Sequence, residues 1–285
     1  MFSLKGTWNI LKPYLPAKAL PIVIFLYRRC YMKLLCRCMG LWDQRYLRSV
    51  YLTGGQAVFA PIPPASLRYR VHGDPYIKSF LEIGKRCSQD IEAALSRIGK
   101  NLNSFQHILD FGCGCGRILF WFADRSLSTH FYGTDVDREA IAWCHHNLHF
   151  ASFSLNHPLP PLEYASEKFD LVYAISVFTH LNEDYQFRWL QELRRVIKFE
   201  GILLLTVHGY HFWKNLPREE VNKIEKAGFV FKTLNNWKGL FPDWYQTAYH
   251  TQKYILDQYS AYFDILDYIP GGLNDHQDIV LLQKR

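Results

Sequence analysis

From residue 110 to 117 the chain reads Asp-Phe-Gly-Cys-Gly-Cys-Gly-Arg, directly after the apolar run Ile108-Leu109. Gly112, Gly114 and Gly116 remove side chains where a backbone has to lie against a ligand, and a turn from strand into helix offers N–H groups to it. A pyrophosphate-binding loop has the spacing G-x-G-x-x-G, whereas here it is G-x-G-x-G followed at once by Arg117. Asp135 stands nineteen residues after Gly116, at the end of the next expected strand. A carboxylate there can accept hydrogen bonds from both hydroxyls of a ribose. Asp137 suits the N-cap of the following helix better, which leaves Asp135 for the ligand. The constellation predicts a ligand that contains a nucleoside.

Those residues need a scaffold, and the periodicity supplies one. Expected strands "HILDF", "HFYGTD", "HFASFSLN", "FDLVYAIS" and "GILLLTVHG" alternate with helical stretches "KRCSQDIEAALSRIG", "GRILFWFAD", "DREAIAWCHHNL" and "EDYQFRWLQELRRVIK". Alternation of this kind predicts an α/β fold, a doubly wound, mostly parallel sheet with helices on both faces. "AYFDILDYIP" and "DIVLLQK" flank Gly271-Gly272 and read as an antiparallel C-terminal hairpin that completes seven strands. In such a sheet the ligand sits at the carboxyl ends of the strands.

Composition bounds the rest. The 285 residues can bury one sizeable core. Residues 1–50 hold nine Lys or Arg and a single acid, Asp43, so the net charge of +7 resides in this arm and the remainder is near neutral. The domain reading is therefore a basic, apolar, helical N-terminal arm over 1–60 and a main domain over 61–285, joined by an extended, proline-rich linker "PIPPASLRYRVHGD". The uncharged run at 22–26 is far too short to cross a bilayer and no cleavage site follows it. Seven cysteines without paired spacing predict reduced thiols and a cytoplasmic protein, with peripheral contact to anionic membrane through residues 1–50 as a further expectation.

At this point a family comes into view. Asp110-Phe-Gly112-Cys-Gly114-Cys-Gly116 resembles the D/E-x-G-x-G-x-G signature of class I S-adenosylmethionine-dependent methyltransferases. Asp135 is similar to their ribose-binding acid, and Asn156 to the polar residue that contacts adenine. "FDLVYAISVFTHL" with "LQELRRVIKFEGILLL" resembles their fourth strand, next helix and fifth strand, so that the similarity covers residues 80–285. The resemblance implies a Rossmann-like methyltransferase fold with S-adenosylmethionine as methyl donor and no metal. It implies cofactor contacts by Asp110, Gly112, Cys113, Gly114, Gly116, Arg117, Asp135, Val136, Asn156 and Ser176. Asp110 would orient the loop and the amino group, with Cys113 and Cys115 as small fillers.

The methyl acceptor is less legible. No D/N/S-P-P-Y/F motif follows the fourth strand, where Ser176-Val-Phe-Thr stands instead, and this argues against nucleic acid. Tyr210, His211, Phe212, Trp213, Trp237, Phe241, Trp244, Tyr245 and Tyr249 crowd the segments that would roof the cleft. They suit a small molecule, such as a sugar, a lipid-linked compound or a planar metabolite, methylated on oxygen or nitrogen. Removing a proton from it calls for a base, and His208, His180 and His250 are the candidates, His208 first because it ends the fifth strand. His145 and His149 have metal-pair spacing but lie on a helix of the outer face. A non-catalytic binding or scaffold protein on the same fold, and a nicotinamide-dependent oxidoreductase disfavoured by the glycine spacing, are the alternative functions.

Overall fold

The computed structural model describes residue 43, residues 61–233 and residues 245–285. The rest of the 1–60 arm, with Trp237, Phe241 and Trp244, lies outside the described residues. Two compact units are distinguished, Met1–Ala57 with Pro64–Ser66 and Val58–Pro63 with Leu67–Arg285; the second is described here.

Five strands, β1 (His107–Phe111), β2 (His130–Asp135), β3 (Ala151–Leu155), β4 (Phe169–Ala174) and β5 (Ile197–Val207), pair in parallel in the order β3-β2-β1-β4-β5. A separate antiparallel ribbon, β6 (Phe229–Lys232) with β7 (Thr247–His250), precedes the hairpin β8 (Asp264–Leu273) and β9 (Gln277–Gln283). β9 lies antiparallel against β5 and completes a seven-stranded sheet, β3-β2-β1-β4-β5-β9-β8. The doubly wound sheet with its antiparallel C-terminal hairpin is as the sequence predicts.

Alternation along the strands divides the core into two layers. Leu171, Tyr173, Ile202, Leu204, Ile279 and Leu281 face one way, Val172, Ala174, Leu203, Leu205, Val280 and Leu282 the other. The first layer is covered by α2 (Ile77–Arg97) and α3 (Arg138–Asn147), the second by α4 (Glu183–Val196) and α7 (Gln252–Tyr259). Central strands buried on both faces carry nearly continuous apolar runs, and each fully buried Leu or Phe stabilises the sheet by about 1.5–3 kcal/mol. Asp137 caps α3 by accepting from the N–H groups of Glu139 and Ala140; Asn182 caps α4 and Thr251 caps α7 in the same manner.

Two expectations are corrected. The segment expected as an extended linker contains α1 (Ala65–His72). Its prolines, Pro61, Pro63 and Pro64, all precede the first helical residue, where their missing N–H groups cost no intrahelical bond. Arg68, buried, donates to the carbonyls of Pro63 and Pro75 on either side. Gly73, at φ 74°, ends the helix by donating to Tyr69 O. The α-helix expected over "GRILFWFAD" is instead a 3₁₀ segment, Leu119–Arg125. Its buried residues Leu119 and Phe122 are three apart, the spacing that a threefold helix puts on one face.

The sequence reading did not anticipate the ribbon β6–β7 or the short helices α5 (Tyr210–Trp213) and α6 (Arg218–Ala227) that precede it. Trp213, Val221, Ile224 and Tyr249 give this insertion a small core of its own.

Candidate functional site

The site is assembled at the carboxyl ends of β1, β2, β4 and β5, and it has a glycine-loop side and a histidine side. On the first, the loop leaving β1 is tied to the end of β2. Gly112 N and Cys113 N donate to Thr134 O at 2.8 and 3.0 Å, and Gly114 N donates to Asp135 Oδ2 at 2.7 Å. Gly116 N donates to Cys113 O. Four of the N–H groups expected to face a ligand are therefore already paired, three of them with β2. Gly112 and Gly114 have φ of 82° and 54°, and a Cβ on either would overlap a methyl of Val177 or of Val71. Only glycine combines that backbone with that close approach.

Asp110 is 2% exposed at the end of β1. Burial pushes its carboxyl up to about 8; the Asp135 charge adds to this, while the Tyr173 hydroxyl and Arg117 oppose it. Asp135, half-buried, is also raised by burial, against the N–H groups of Asp137 and Gly114 that it accepts. Asn156 lies beside it: its N–H donates to Asp135 O, its Oδ1 lies 2.9 Å from Thr134 Oγ1, and its Nδ2 donates to His157 O. Val136, next to Asp135, is exposed. Ser176, just beyond β4, holds φ 60°, donates its N–H to Thr206 Oγ1 and exchanges hydrogen bonds with the Gln277 amide.

Arg117 donates from Nη1 to His72 Nδ1 at 3.0 Å, so the His72 Nε2 proton goes to Ser79 Oγ, which donates to Asp74. The Nε of Arg117 is buried without a partner. Burial thus raises both carboxyls, and the half-buried Arg117, with its Nε unpartnered, acts on Asp110 from the same side.

On the histidine side, β7 runs between the segment after β4 and the end of β5. Gln246 N donates to His180 O, Ala248 N to Thr179 O, and His250 N to His208 O. In return, His180 Nδ1 lies 2.8 Å from Gln246 O and His208 Nδ1 lies 3.2 Å from Ala248 O. A carbonyl can only accept, so each Nδ1 carries the proton and each Nε2 the lone pair. The two rings meet edge to face at 5.8 Å, His180 stacks on Tyr245 at 4.5 Å, and His208 stacks on Phe212 at 3.7 Å. His276 meets His208 at 6.3 Å. Burial lowers His180 to about 4 and His208 well below the usual imidazole range, where His180, His250 and His276 reinforce the effect. Both rings are neutral at pH 7.

His250, expected with the other two at the cleft, lies in the interior instead, 0% exposed, its Nε2–H donating to Gln186 Oε1 at 3.0 Å. Burial lowers it to about 3. The alternation that points the carbonyls of Gln246 and Ala248 at His180 and His208 leaves the His250 side chain facing α4. Sequence reasoning missed Thr134, Thr206, Gln277 and Gln186. Only Gln186 leaves a signal, a polar residue on the stripe of α4 that otherwise buries Trp189, Leu190 and Leu193. Among the described residues no cluster of His, Cys, Asp or Glu is arranged to hold a metal ion.

Residues 108–201, from the glycine-loop strand to β5, match the family model described as Methyltransferase domain. Among solved structures, magnesium protoporphyrin IX methyltransferase of Synechocystis, determined with bound SAH, is 17% identical with a TM-score of 0.51, the match covering 77% of this chain and 94% of that one. The PH0226 protein of Pyrococcus horikoshii is 16% identical with a TM-score of 0.50, over 69% of this chain and 90% of that one. These two show the shared fold. The matched domain, the strand order and the glycine loop ending at an acid-tipped β2 converge: residues 108–201 form a methyltransferase domain, set in a sheet similar to that of S-adenosylmethionine-dependent methyltransferases.

Proposed function

We propose that the chain methylates an oxygen or nitrogen of a small molecule, with His208 receiving the proton that the acceptor gives up. The observation that carries this reading is the state of His208, a neutral imidazole at the end of β5 whose Nδ1–H is fixed on Ala248 O, leaving Nε2 as a basic nitrogen.

The methyl donor fits the residues of the glycine-loop side. The unpartnered Arg117 Nε suits its carboxylate, Asp110 its ammonium, Asp135 the ribose hydroxyls and Asn156 the adenine edge, with Val136 giving that base an apolar contact. The loop Gly112-Cys113-Gly114 and Ser176 border it through their backbone. When bound, S-adenosylmethionine supplies a methyl group already activated on a sulfonium, so holding the acceptor at about 3–3.5 Å and in line is the main catalytic contribution.

The chain's remaining task is the proton. A hydroxyl or protonated amine hydrogen-bonded to His208 Nε2 can pass its proton there, and the Ala248 carbonyl then stabilises the imidazolium through Nδ1–H. Burial makes that cation costly, which restricts proton transfer to the stage at which the acceptor bond is forming. His180 holds the same tautomer beside it. Phe212, Tyr245 and Tyr249 flank the histidines and offer ring faces to a planar or sugar-like acceptor.

Incubating the full chain with S-adenosylmethionine and a small-molecule extract, and searching by mass spectrometry for compounds that gain one methyl, tests the reading. A product that forms with the chain but not with His208→Asn supports it; undiminished product with His208→Asn removes His208 from the chemistry.

The nine basic residues of 1–50 favour peripheral contact with anionic lipid at the cytoplasmic face, each contributing about 1 kcal/mol near such a surface. Sedimentation with anionic vesicles at low and high salt checks this; equal recovery with neutral vesicles refutes it. No helix among the described residues is long and apolar enough to cross a membrane.

A further inference from the structure

Gln186 is 0% exposed, yet its amide makes four hydrogen bonds, the full number open to it in pairs of two. Nε2 donates to Phe178 O at 3.0 Å and Leu181 O at 2.9 Å. Oε1 accepts from His250 Nε2 at 3.0 Å and from the Tyr259 hydroxyl at 2.5 Å. The two carbonyls bracket Thr179 and His180, the segment whose backbone pairs with Gln246 and Ala248. The histidine belongs to β7; the Ala248 carbonyl of that strand receives the His208 Nδ1 proton, and the Gln246 carbonyl just before the strand receives that of His180. One amide thus joins the segment after β4, the strand β7 and the helix α7. The Trp213 indole adds a bond from α5 to His250 O.

An apolar residue at 186 would continue the stripe of α4, so the buried amide is not needed to fill space. Its two ends fix the two backbones whose register decides which carbonyl faces which imidazole. A slip of β7 by one residue would turn its carbonyls away from both rings.

We propose that Gln186, with His250 and Tyr259, is the positioning element of the reaction: it holds β7 against the segment after β4 and thereby fixes His180 and His208 as Nδ1–H tautomers. This rests on the proposed role of His208, but the tautomer is observable without an acceptor. A failure of the base assignment therefore appears in turnover, and a failure of this proposal appears in the ring spectra. His250 accordingly serves as a structural donor to Gln186 and takes no proton from substrate.

The experiment is ¹⁵N NMR of the full chain labelled at histidine, with His180 and His208 assigned by His180→Asn and His208→Asn. In the unmodified chain both rings are expected as single, neutral Nδ1–H forms down to below pH 6. Gln186→Met, close in volume and without the four bonds, is expected to replace those signals by exchange-averaged mixtures of both tautomers, with titration moving up toward that of a free imidazole. Tyr259→Phe removes one bond only and is expected to broaden the same signals, which keeps the test available if Gln186→Met does not fold. Leu95→Ala, a cavity under the opposite face of the sheet, controls for general destabilisation: it is expected to lower Tm and leave both tautomers intact. The proposal is overturned by Nε2–H rings in the unmodified chain, by unchanged spectra in folded Gln186→Met, or by equal changes in Tyr259→Phe and Leu95→Ala.

Discussion

Burial shifts Asp110 on one side of the site and the histidines on the other toward their uncharged forms, and the consequences for pH run in opposite directions. On the glycine-loop side, Asp110 has a folded value of about 8 against the ordinary 3.8, so the folded chain holds a proton that the unfolded chain releases. Its contribution to stability is complete below pH 4 and is lost as pH rises toward 8. On the histidine side, His180 and His250 sit at about 4 and 3 against 6.5. Their contribution is complete above pH 6.5 and is lost as pH falls through that window. The glycine-loop side thus answers to alkali and the histidine side to acid. This division fits the proposed function: a carboxyl that can ionise when a cationic donor arrives, beside imidazoles that stay neutral until a proton is delivered.

The largest expected effect lies on the histidine side. His208→Asn should lower kcat by about 10²- to 10⁴-fold, the usual worth of a general base, and leave the affinity for S-adenosylmethionine nearly intact. Steady-state kinetics with an identified acceptor, paired with calorimetry of donor binding, separates the two. A variant that loses donor affinity in step with kcat would show that the sides are not independent, which breaks the comparison itself.

Next comes Asp135→Ala, the corresponding cut on the other side. Hydrogen bonds to a charged group contribute about 1.5–3 kcal/mol, so the donor Kd should rise by about 10- to 150-fold. Part of that loss would be indirect, because Asp135 also accepts from Gly114 N and steadies the loop. Donor affinity unchanged in calorimetry would reject the ribose assignment.

The two sides also differ in how far each can be read along the chain. Asp110, the three glycines, Asp135 and Asn156 fall within the stretch from β1 to the end of β3, where strand ends and motif spacing locate them. The positions on that side were legible because motif spacing locates them and their residue types are forced by backbone geometry, as at Gly112 and Gly114. The histidine side depends on partners about 40 to 66 residues apart, and those partners are main-chain carbonyls, which no residue type announces. The place of His208 at a strand end was legible, whereas the orientation of His250 was not, since it follows from the register of a ribbon that the sequence did not reveal. The prolines before α1 misled for a related reason: their effect depends on whether they stand inside a helix or just ahead of it.

A third prediction addresses Asp110. If the donor ammonium pairs with it, binding at pH 7 must expel the proton that burial holds there, so donor affinity should rise with pH and level off near 8. Calorimetry in two buffers of different ionisation heat should count up to one proton released, and Asp110→Asn should release none. Affinity that is flat from pH 6 to 9 in the unmodified chain would place Asp110 outside the pairing and leave it as a support for the loop.

The smallest effect is expected at Arg70, on the helix that covers the glycine loop. Arg70 reaches Asp137 at 2.7 Å and Glu139 at 2.8 Å at the start of α3. The next residues of α1 are Val71, whose methyl lies over Gly114, and His72, which accepts from Arg117. The pairing looks strategic, but Arg70 is 36% exposed and Glu139 77%, so solvent screens it and the pair is worth about 0.2–1 kcal/mol. Val71 and the buried Leu67, packed with Phe80, Cys115 and Ala140, hold α1 without it. Arg70→Ala should therefore lower Tm slightly and weaken donor binding by no more than about fivefold, a change that shrinks further at high salt. Thermal melts and calorimetry at two ionic strengths measure both. A loss well beyond tenfold that survives high salt would mean that α1 belongs to the donor site as a working part, and the glycine-loop side would then share with the histidine side a dependence on contacts distant in sequence.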